Sequence, residues 1–218
     1  KKLEVFPDIP DTLFQKYVHL DKIAVDTELH GLTMNRDQIC LVQLCDKDEE
    51  VCLVGPEPDR DCMRLKLLME NKNVKKIFHF ALTDVAFFQT SLNIVVSPFC
   101  CTKVMSKIIR TYTQSHSLKD LHAELLGVEM EKEQQQTNWA DPDLSPKQMK
   151  YAANDVLRLL EIHDHLQDMI EKRVQLQGGK TVFELNQIAQ SMLPGMVDLL
   201  IHGYGDLDRG WQTTLFSH

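Results

Sequence analysis

The chain has 218 residues, of which 43% are hydrophobic and 26% are charged, and its formal net charge is −8. This composition is typical of one ordinary globular domain, and the negative charge argues against a protein that grips long nucleic-acid duplexes through a basic surface. No apolar run approaches the roughly 18 residues of a membrane span, and the first residues lack the apolar core of a signal peptide. We therefore expect a cytoplasmic protein that does not enter a membrane.

The predicted elements alternate between strands and helices over the first half of the chain. Apolar or alternating stretches predict strands over 22–27, 37–45, 51–54, 74–80 and 94–100. Amphipathic stretches and capping residues predict helices over 61–71, 83–92, 102–110, 117–126, 145–173 and 180–192. This order predicts an α/β fold with a five-stranded mixed sheet flanked by helices. We expect a single domain over 1–218, with a core over about 1–175 and a C-terminal helical extension over about 176–218.

Four acidic residues fall where such a sheet collects its reactive groups. Asp26 and Glu28 end the first predicted strand, and residues two apart on a strand point to the same face. Asp84 begins the helix that follows the fourth predicted strand. Tyr151 and Asp155 are four residues apart on one predicted helix and therefore share a face.

Each of these features alone is more typical of a surface charge or a local hydrogen bond. Together they predict a common site, and buried carboxylates that repel one another need cations to stay ionised. Two divalent ions in such a site are the usual apparatus for phosphodiester hydrolysis.

The order and spacing of these residues resemble the three motifs of the DEDD exonucleases. The matching stretches are Val25-Asp26-Thr27-Glu28, His79-Phe80-Ala81-Leu82-Thr83-Asp84 and Tyr151-Ala152-Ala153-Asn154-Asp155. The tyrosine resembles the DEDDy branch, typified by ribonuclease D, since the histidine branch would carry His where Lys150 stands. The short length and the stretches 110–113 and 134–136 are similar to nano-RNase C, the small ribonuclease D relative of alphaproteobacteria. Leu82 and Thr83 depart from the Arg-Phe that relatives often carry there.

The resemblance implies a ribonuclease H-like fold and metal-dependent 3′→5′ removal of 5′-nucleotides from RNA, with two ions, Mg²⁺ or Mn²⁺. It implies that Asp26, Glu28 and Asp155 hold one ion, that Asp84 helps to hold a second with Asp26, and that Tyr151 orients the attacking water. Nano-RNase C acts on very short RNAs, including dinucleotides such as linearised cyclic di-GMP, and forms a ring-shaped octamer. Short single-stranded RNA and further copies of the chain are therefore the expected partners.

Other residues are candidates for substrate contacts. Leu29 and Leu32 would wedge between or stack on terminal bases, with core packing of Leu32 as an equal alternative. His79 would contact the scissile region or the terminal ribose, and Trp139 would cover a base, although both are also typical core residues.

A cationic helix face is the candidate for binding the 5′-phosphate of a dinucleotide. Lys103, Lys107 and Arg110 share that face, and Tyr112 lies nearby. A solvated face is the alternative. A cap of this kind would exclude longer RNA.

Three other functions stay open: ribonuclease D-like trimming of longer RNA, 3′→5′ proofreading of DNA, and a non-catalytic nucleotide-binding or scaffold subunit. The C-terminal part is rich in apolar residues that either pack on the nuclease core or form an assembly surface, which is the preferred interpretation. They are Met192, Leu193, Pro194, Met196, Leu199, Leu200, Ile201 and Trp211.

Overall fold

A computed structural model describes residues 2–57, 60–130 and 137–204. A mixed sheet lies at the centre, and its strands follow the order β1-β4-β3-β2-β5-β6. They are β1 (Val5–Phe6), β2 (Lys22–Leu29), β3 (Ile39–Cys45), β4 (Val51–Val54), β5 (Lys75–Phe78) and β6 (Phe99–Cys101). Strand β3 is antiparallel to both of its neighbours, β2 and β4, while β5 and β6 run parallel to β2. The predicted α/β fold is confirmed.

The predicted strand count of five is wrong by one, because the described residues form six strands. The additional strand, β1, has only two residues, too few for an alternating pattern, and it pairs in parallel with β4. The predicted strand over 94–100 is also too long. Ile94 and Val96 are buried in the core, but pairing begins only at Phe99, directly after Pro98, which has no N–H to donate to a neighbouring strand.

The helices surround the sheet. They are α1 (Asp11–Tyr17), α2 (Met63–Glu70), α3 (Ala81–Leu92), α4 (Thr102–Ile109), α5 (Leu118–Leu121), α6 (Pro146–Leu157), α7 (Leu159–Lys172) and α8 (Val182–Ile201). A π-helical turn, His122–Leu126, continues α5. Helix α1 was not predicted, and the predicted helix over 145–173 is interrupted at Arg158, which divides it into α6 and α7. Among these helices, none combines the length and the apolar character of a membrane span.

Alternation along β2 divides the core into two layers. Ile23 and Val25 face a cluster that includes α2, α3 and part of α8, whereas Ala24 faces a cluster with α4 and α7. Helix α6 packs on β2, β3 and β4 on that second side. Because Asp26 and Glu28 follow Ala24 in steps of two, they lie on the side that α6 covers.

The C-terminal helix belongs mostly to the core. Helix α8 runs past Pro194, beyond the predicted end at residue 192, because Leu193, Val197 and Leu200 are buried against the layer of α3. Leu193 and Leu200 therefore serve the fold, which corrects their assignment to an assembly surface, while Met192 is 57% exposed. Residues 134–136 and Trp211, also named in the sequence predictions, lie outside the described residues.

Lys76 is a buried lysine of this core, and burial lowers the pKa of its amino group to about 7. It is fully buried on β5, and its Nζ donates hydrogen bonds to the carbonyl oxygens of Asn71 at 2.8 Å, Val74 at 2.6 Å and Ser97 at 2.8 Å. The three donors of the ammonium group match three acceptors. Lys76 thereby ties the turn before β5 to the segment before β6.

We predict that Lys76→Met lowers the free energy of unfolding by about 2–4 kcal/mol, because three carbonyl oxygens lose their hydrogen-bond donor. Lys75→Met is the matched control, since Lys75 is the exposed neighbour on the same strand. Urea denaturation measures both variants. Equal midpoints for the two variants would contradict this role of Lys76.

Candidate active site

Strand β2 places two carboxylates at the carboxyl end of the sheet. Asp26 lies opposite Gln43 on β3, and Glu28 lies opposite Leu41. The register shifts between Glu28 and Leu29, so regular pairing ends directly after the second carboxylate. Both side chains therefore stand on the α6 side, where the central strand leaves the sheet.

Helix α6 supplies the third carboxylate and the tyrosine. Ser145 caps the helix: its hydroxyl accepts the Gln148 N–H, and the Gln148 side chain accepts the Ser145 N–H. Ala152 and Val156 are buried, which lets the helix lie close to the strands and points Tyr151 and Asp155 at the edge of β2.

Three carboxylates meet at this point. One oxygen each from Asp26, Glu28 and Asp155 lies within 4.8 Å of the others. Such a set of hard oxygen donors is the kind that Mg²⁺ or Mn²⁺ prefers. Among the described residues this is the only group of three or more acidic, histidine or cysteine side chains with that spacing.

Asp84 reaches the site from the other face of β2. It lies in the first turn of α3, is buried, and accepts a hydrogen bond from the Thr27 hydroxyl. Because Thr27 alternates with Asp26 and Glu28, Asp84 stands on the α3 side and outside the group of three. Its charge nevertheless acts on the group, since it is the first electrostatic cause of the raised pKa of Asp26.

Burial is the main cause of a raised pKa at all four carboxyl groups. It raises the pKa of Glu28 to about 8 and the pKa of Asp84 and Asp155 to about 7. The pKa of Asp26 lies well above its ordinary range because of burial and then the charges of Asp84, Asp155 and Glu28. The ionised cluster is therefore costly by itself, and a divalent cation fits the donor set that these residues form.

Tyr151 remains a phenol in this environment. Burial and the nearby charges of Asp155, Glu28 and Asp26 raise its pKa. The ring of Trp139 packs against it, with centroids 6.2 Å apart and planes inclined by 33°. Trp139 is only 6% exposed and belongs to a cluster with Leu41. It therefore supports Tyr151, and the prediction that it covers a base is corrected.

Gln43 is a site residue that the sequence analysis did not single out. It is fully buried on β3, and its Nε2 donates a hydrogen bond of 3.3 Å to Oε1 of Glu28. This contact restrains the orientation of Glu28. A polar side chain within the otherwise apolar run of β3 was the available signal.

His79 is held on both sides by the protein. Burial, and then the charge of Lys103, lowers its pKa to about 4, so the ring is neutral. Nε2 lies 3.0 Å from the carbonyl oxygen of His116 and donates to it, and Nδ1 lies 2.9 Å from the Thr102 hydroxyl, whose single proton is shared between Nδ1 and the carbonyl oxygen of Phe78 at 3.1 Å. A substrate contact by His79 is thereby restricted to the ring face.

The predicted cationic helix face divides into two parts. Arg110 is buried, pairs with Glu124 and donates to the hydroxyl of Ser106 at 2.9 Å, so it is a structural residue and no phosphate ligand. Tyr112 is exposed, and its hydroxyl donates to Glu124 at 2.8 Å. Lys103 is half-buried and stays available for an anion.

Of the two leucines beside the first motif, only Leu32 projects from the surface. It is 65% exposed, whereas Leu29 packs partly against the core. The loop that carries Leu32 is braced by Asp37, whose carboxylate accepts the N–H of Thr33 at 2.8 Å and pairs with Arg36. The alternative that Leu32 is a core residue is therefore wrong.

The sequence matches the 3′-5′ exonuclease family over residues 7–171. Ribonuclease D of Bartonella henselae is 30% identical over 152 residues, which cover 70% of this chain and 37% of that protein. The chain thus spans about two fifths of the length of such curated relatives.

Solved structures give matches over nearly whole chains. Brucella melitensis NrnC is 32% identical, has a TM-score of 0.82, and is matched over 93% of this chain and 96% of that one. The Brucella protein has also been solved with bound Mg²⁺ and bound to pGG. Escherichia coli RNase D, at 23% identity and a TM-score of 0.72 over 89% of this chain and 51% of that one, shares the fold.

These matches agree with the three motifs and with the carboxylates that the fold assembles. The predicted resemblance to ribonuclease D and to NrnC is confirmed. The chain belongs to the DEDDy 3′-5′ exonucleases of the ribonuclease D family.

Proposed function

We propose that the chain is a metal-dependent 3′→5′ exoribonuclease that hydrolyses very short RNAs, especially dinucleotides such as linearised cyclic di-GMP, and releases 5′-nucleotides. The observation that carries the proposal is the convergence of Asp26, Glu28 and Asp155 within 4.8 Å at the end of a central strand. The Brucella NrnC structures with Mg²⁺ and pGG support the metal and the substrate class.

In this proposal Asp26, Glu28 and Asp155 would hold one divalent ion, and Asp84 with Asp26 would hold a second, Mg²⁺ or Mn²⁺. Bound cations would neutralise the carboxylates and act as Lewis acids on the scissile phosphodiester. Gln43 keeps Glu28 in place through its 3.3 Å hydrogen bond. Tyr151, which keeps its proton, donates a hydrogen bond that orients the attacking water, and Trp139 fixes the phenol ring from behind.

The preference for short substrates is proposed from two surface features. Leu32 projects from the braced loop that follows β2, so it suits a wedge between terminal bases without ordering a loop first. Gly31, next to it, has φ +92° and leaves no room for a Cβ, which would lie 2.3 Å from Oδ2 of Asp37. Lys103 is the proposed ligand of a 5′-phosphate at the other end.

Assembly into a homo-oligomer, an octameric ring by resemblance, is also part of the proposal. Helix α8 leaves Ile188 and Met192 exposed beside residues that pack in the core. Apolar side chains at such positions suit contacts with further copies of the chain.

A digestion series over RNA length tests the function. We predict that a 5′-phosphorylated two-mer is hydrolysed faster than a seven-mer, that Mg²⁺ or Mn²⁺ is required, and that a chelator abolishes turnover. Faster digestion of the seven-mer would favour ribonuclease D-like trimming, equal digestion of DNA would remove the RNA preference, and no hydrolysis would favour a non-catalytic subunit.

We predict that Asp155→Ala lowers kcat/KM for the two-mer by at least about 10²–10³-fold while the fold persists, because the metal site loses one of its three converging ligands. Asp168→Asn is the control, since Asp168 is an exposed carboxylate on α7 paired with Lys172. Circular dichroism checks folding. Turnover near the wild-type rate in Asp155→Ala would refute the assigned site.

The raised carboxyl pKa values predict a pH effect on the metal-free protein. The folded state keeps the Glu28 proton up to about pH 8, whereas the unfolded chain loses it near pH 4.3. The unfolded state therefore binds fewer protons between these values, and this group makes the free energy of unfolding fall as the pH rises. Added Mg²⁺ should reverse the fall by binding the ionised carboxylates.

Thermal unfolding of wild type and Glu28→Gln at pH 5 and pH 8, with chelator and then with Mg²⁺, measures this effect. The comparison is made as the difference between the two proteins, because buried histidines such as His79, His122 and His163 act in the opposite direction below about pH 6.5. A pH-independent difference, unchanged by Mg²⁺, would contradict the prediction.

A further inference from the structure

An aromatic residue stands exposed at the edge of the candidate active site. Phe80 lies four residues before Asp84 and immediately before α3, after the carboxyl end of β5. Strands β5 and β6 run parallel to β2, so this end of the sheet also carries Asp26 and Glu28. Phe80 is 38% exposed and belongs to none of the buried clusters of the described residues.

The backbone of Phe80 adopts a conformation that bulky residues avoid. Its φ is 66° and its ψ is 65°, in the left-handed region that glycine occupies without strain. The neighbours on both sides are fixed: His79 by Thr102 and His116, and the N–H of Ala81 by Sγ of Cys101 at 3.4 Å. These contacts hold the backbone of Phe80 in its strained conformation. The partly exposed ring contributes little to the stability of the fold in return.

A cation lies over the ring. Nζ of Lys103, in the first turn of α4, is 4.5 Å from the ring centroid of Phe80. Within the described part of the chain no carboxylate forms an ion pair with Lys103, and Lys107 on the same helix adds positive charge. An aromatic ring with an unpaired cation suits a ligand that carries both a flat base and a phosphate.

We propose that Phe80 is the platform on which one nucleobase of the short RNA stacks, with Lys103 binding the phosphate beside that base. This deepens the proposed function and rests on it. Phe80 thereby sets the position of one substrate end relative to the carboxylates, and the strained backbone is retained because the ring must project towards the substrate.

Binding of a 5′-phosphorylated diguanylate and of two abasic versions, each lacking one base, tests the proposal. Calorimetry in Ca²⁺ gives affinities, and turnover in Mg²⁺ gives KM and kcat. For Phe80→Gly we expect KM to rise about 10-fold, within the range for loss of one base stack, and kcat to change little. The same variant should unfold at a higher temperature, because glycine relieves the left-handed strain.

The abasic substrates measure the coupling free energy between the Phe80 ring and the nucleobase that stacks on it. In wild type, removing the stacked base should weaken binding about 10-fold, and in Phe80→Gly the same removal should cost almost nothing at that position. Phe80→Tyr, which keeps a ring, should behave like wild type, and Phe80→Leu should behave like Phe80→Gly. Leu67→Ala, on α2 and 52% exposed, is the control for loss of an exposed apolar side chain.

An abasic penalty that stays the same in all Phe80 variants would overturn the platform, and so would a Phe80→Leu protein with wild-type KM. If wild type hydrolyses none of these substrates, the proposed function fails instead. The two failures are therefore distinguishable.

Discussion

The cost of withdrawing carboxylates from water is the constraint on which the candidate active site depends. Three acidic groups meet at one end of the sheet and Asp84 lies close to them on the α3 side; burial, with neighbouring charges at Asp26 and Glu28, raises the pKa of each carboxyl group towards or above neutrality. The ionised cluster is favourable only if the surrounding fold holds it and a cation compensates its charge. The core layers on both sides of β2 hold the cluster in place, and the geometry of Asp26, Glu28 and Asp155 suits a bound cation.

Buried residues around the carboxylates hold the functional side chains in fixed orientations. Gln43 restrains Glu28, Trp139 restrains Tyr151, and Thr27 restrains Asp84. Further out, His79 and Arg110 belong to a chain of hydrogen bonds through Ser106 and His116. The polar groups on this side thus divide into those that hold the structure and those, such as Lys103, that remain free to bind a ligand.

The sequence predicted the α/β class, the central strands and the convergence of Asp26, Glu28 and Asp155, because each is encoded locally by alternation, capping residues and short motifs, whereas Asp84 lies outside that group of three. It did not predict α1 or β1, which are too short to show a period, or the continuation of α8 through Pro194, which tertiary packing of Val197 and Leu200 decides. Ligand assignments made from helix spacing alone failed for Arg110, since spacing does not reveal that Glu124 neutralises it. Phe80 was missed because a positive φ at a bulky residue leaves no sequence pattern.

Strand β2 is paired on both edges, with β3 on one side and β5 on the other. Side chains of its acidic motif point alternately to the two faces of the sheet: Asp26 and Glu28 point towards α6, and Thr27 points towards Asp84. A register shift of β2 by one residue would move each side chain to the opposite face of the sheet and place the Thr27 hydroxyl where a carboxylate now stands. An insertion or deletion of one residue within β2 would therefore disrupt the candidate active site even where the hydrophobic pattern of the strand survived.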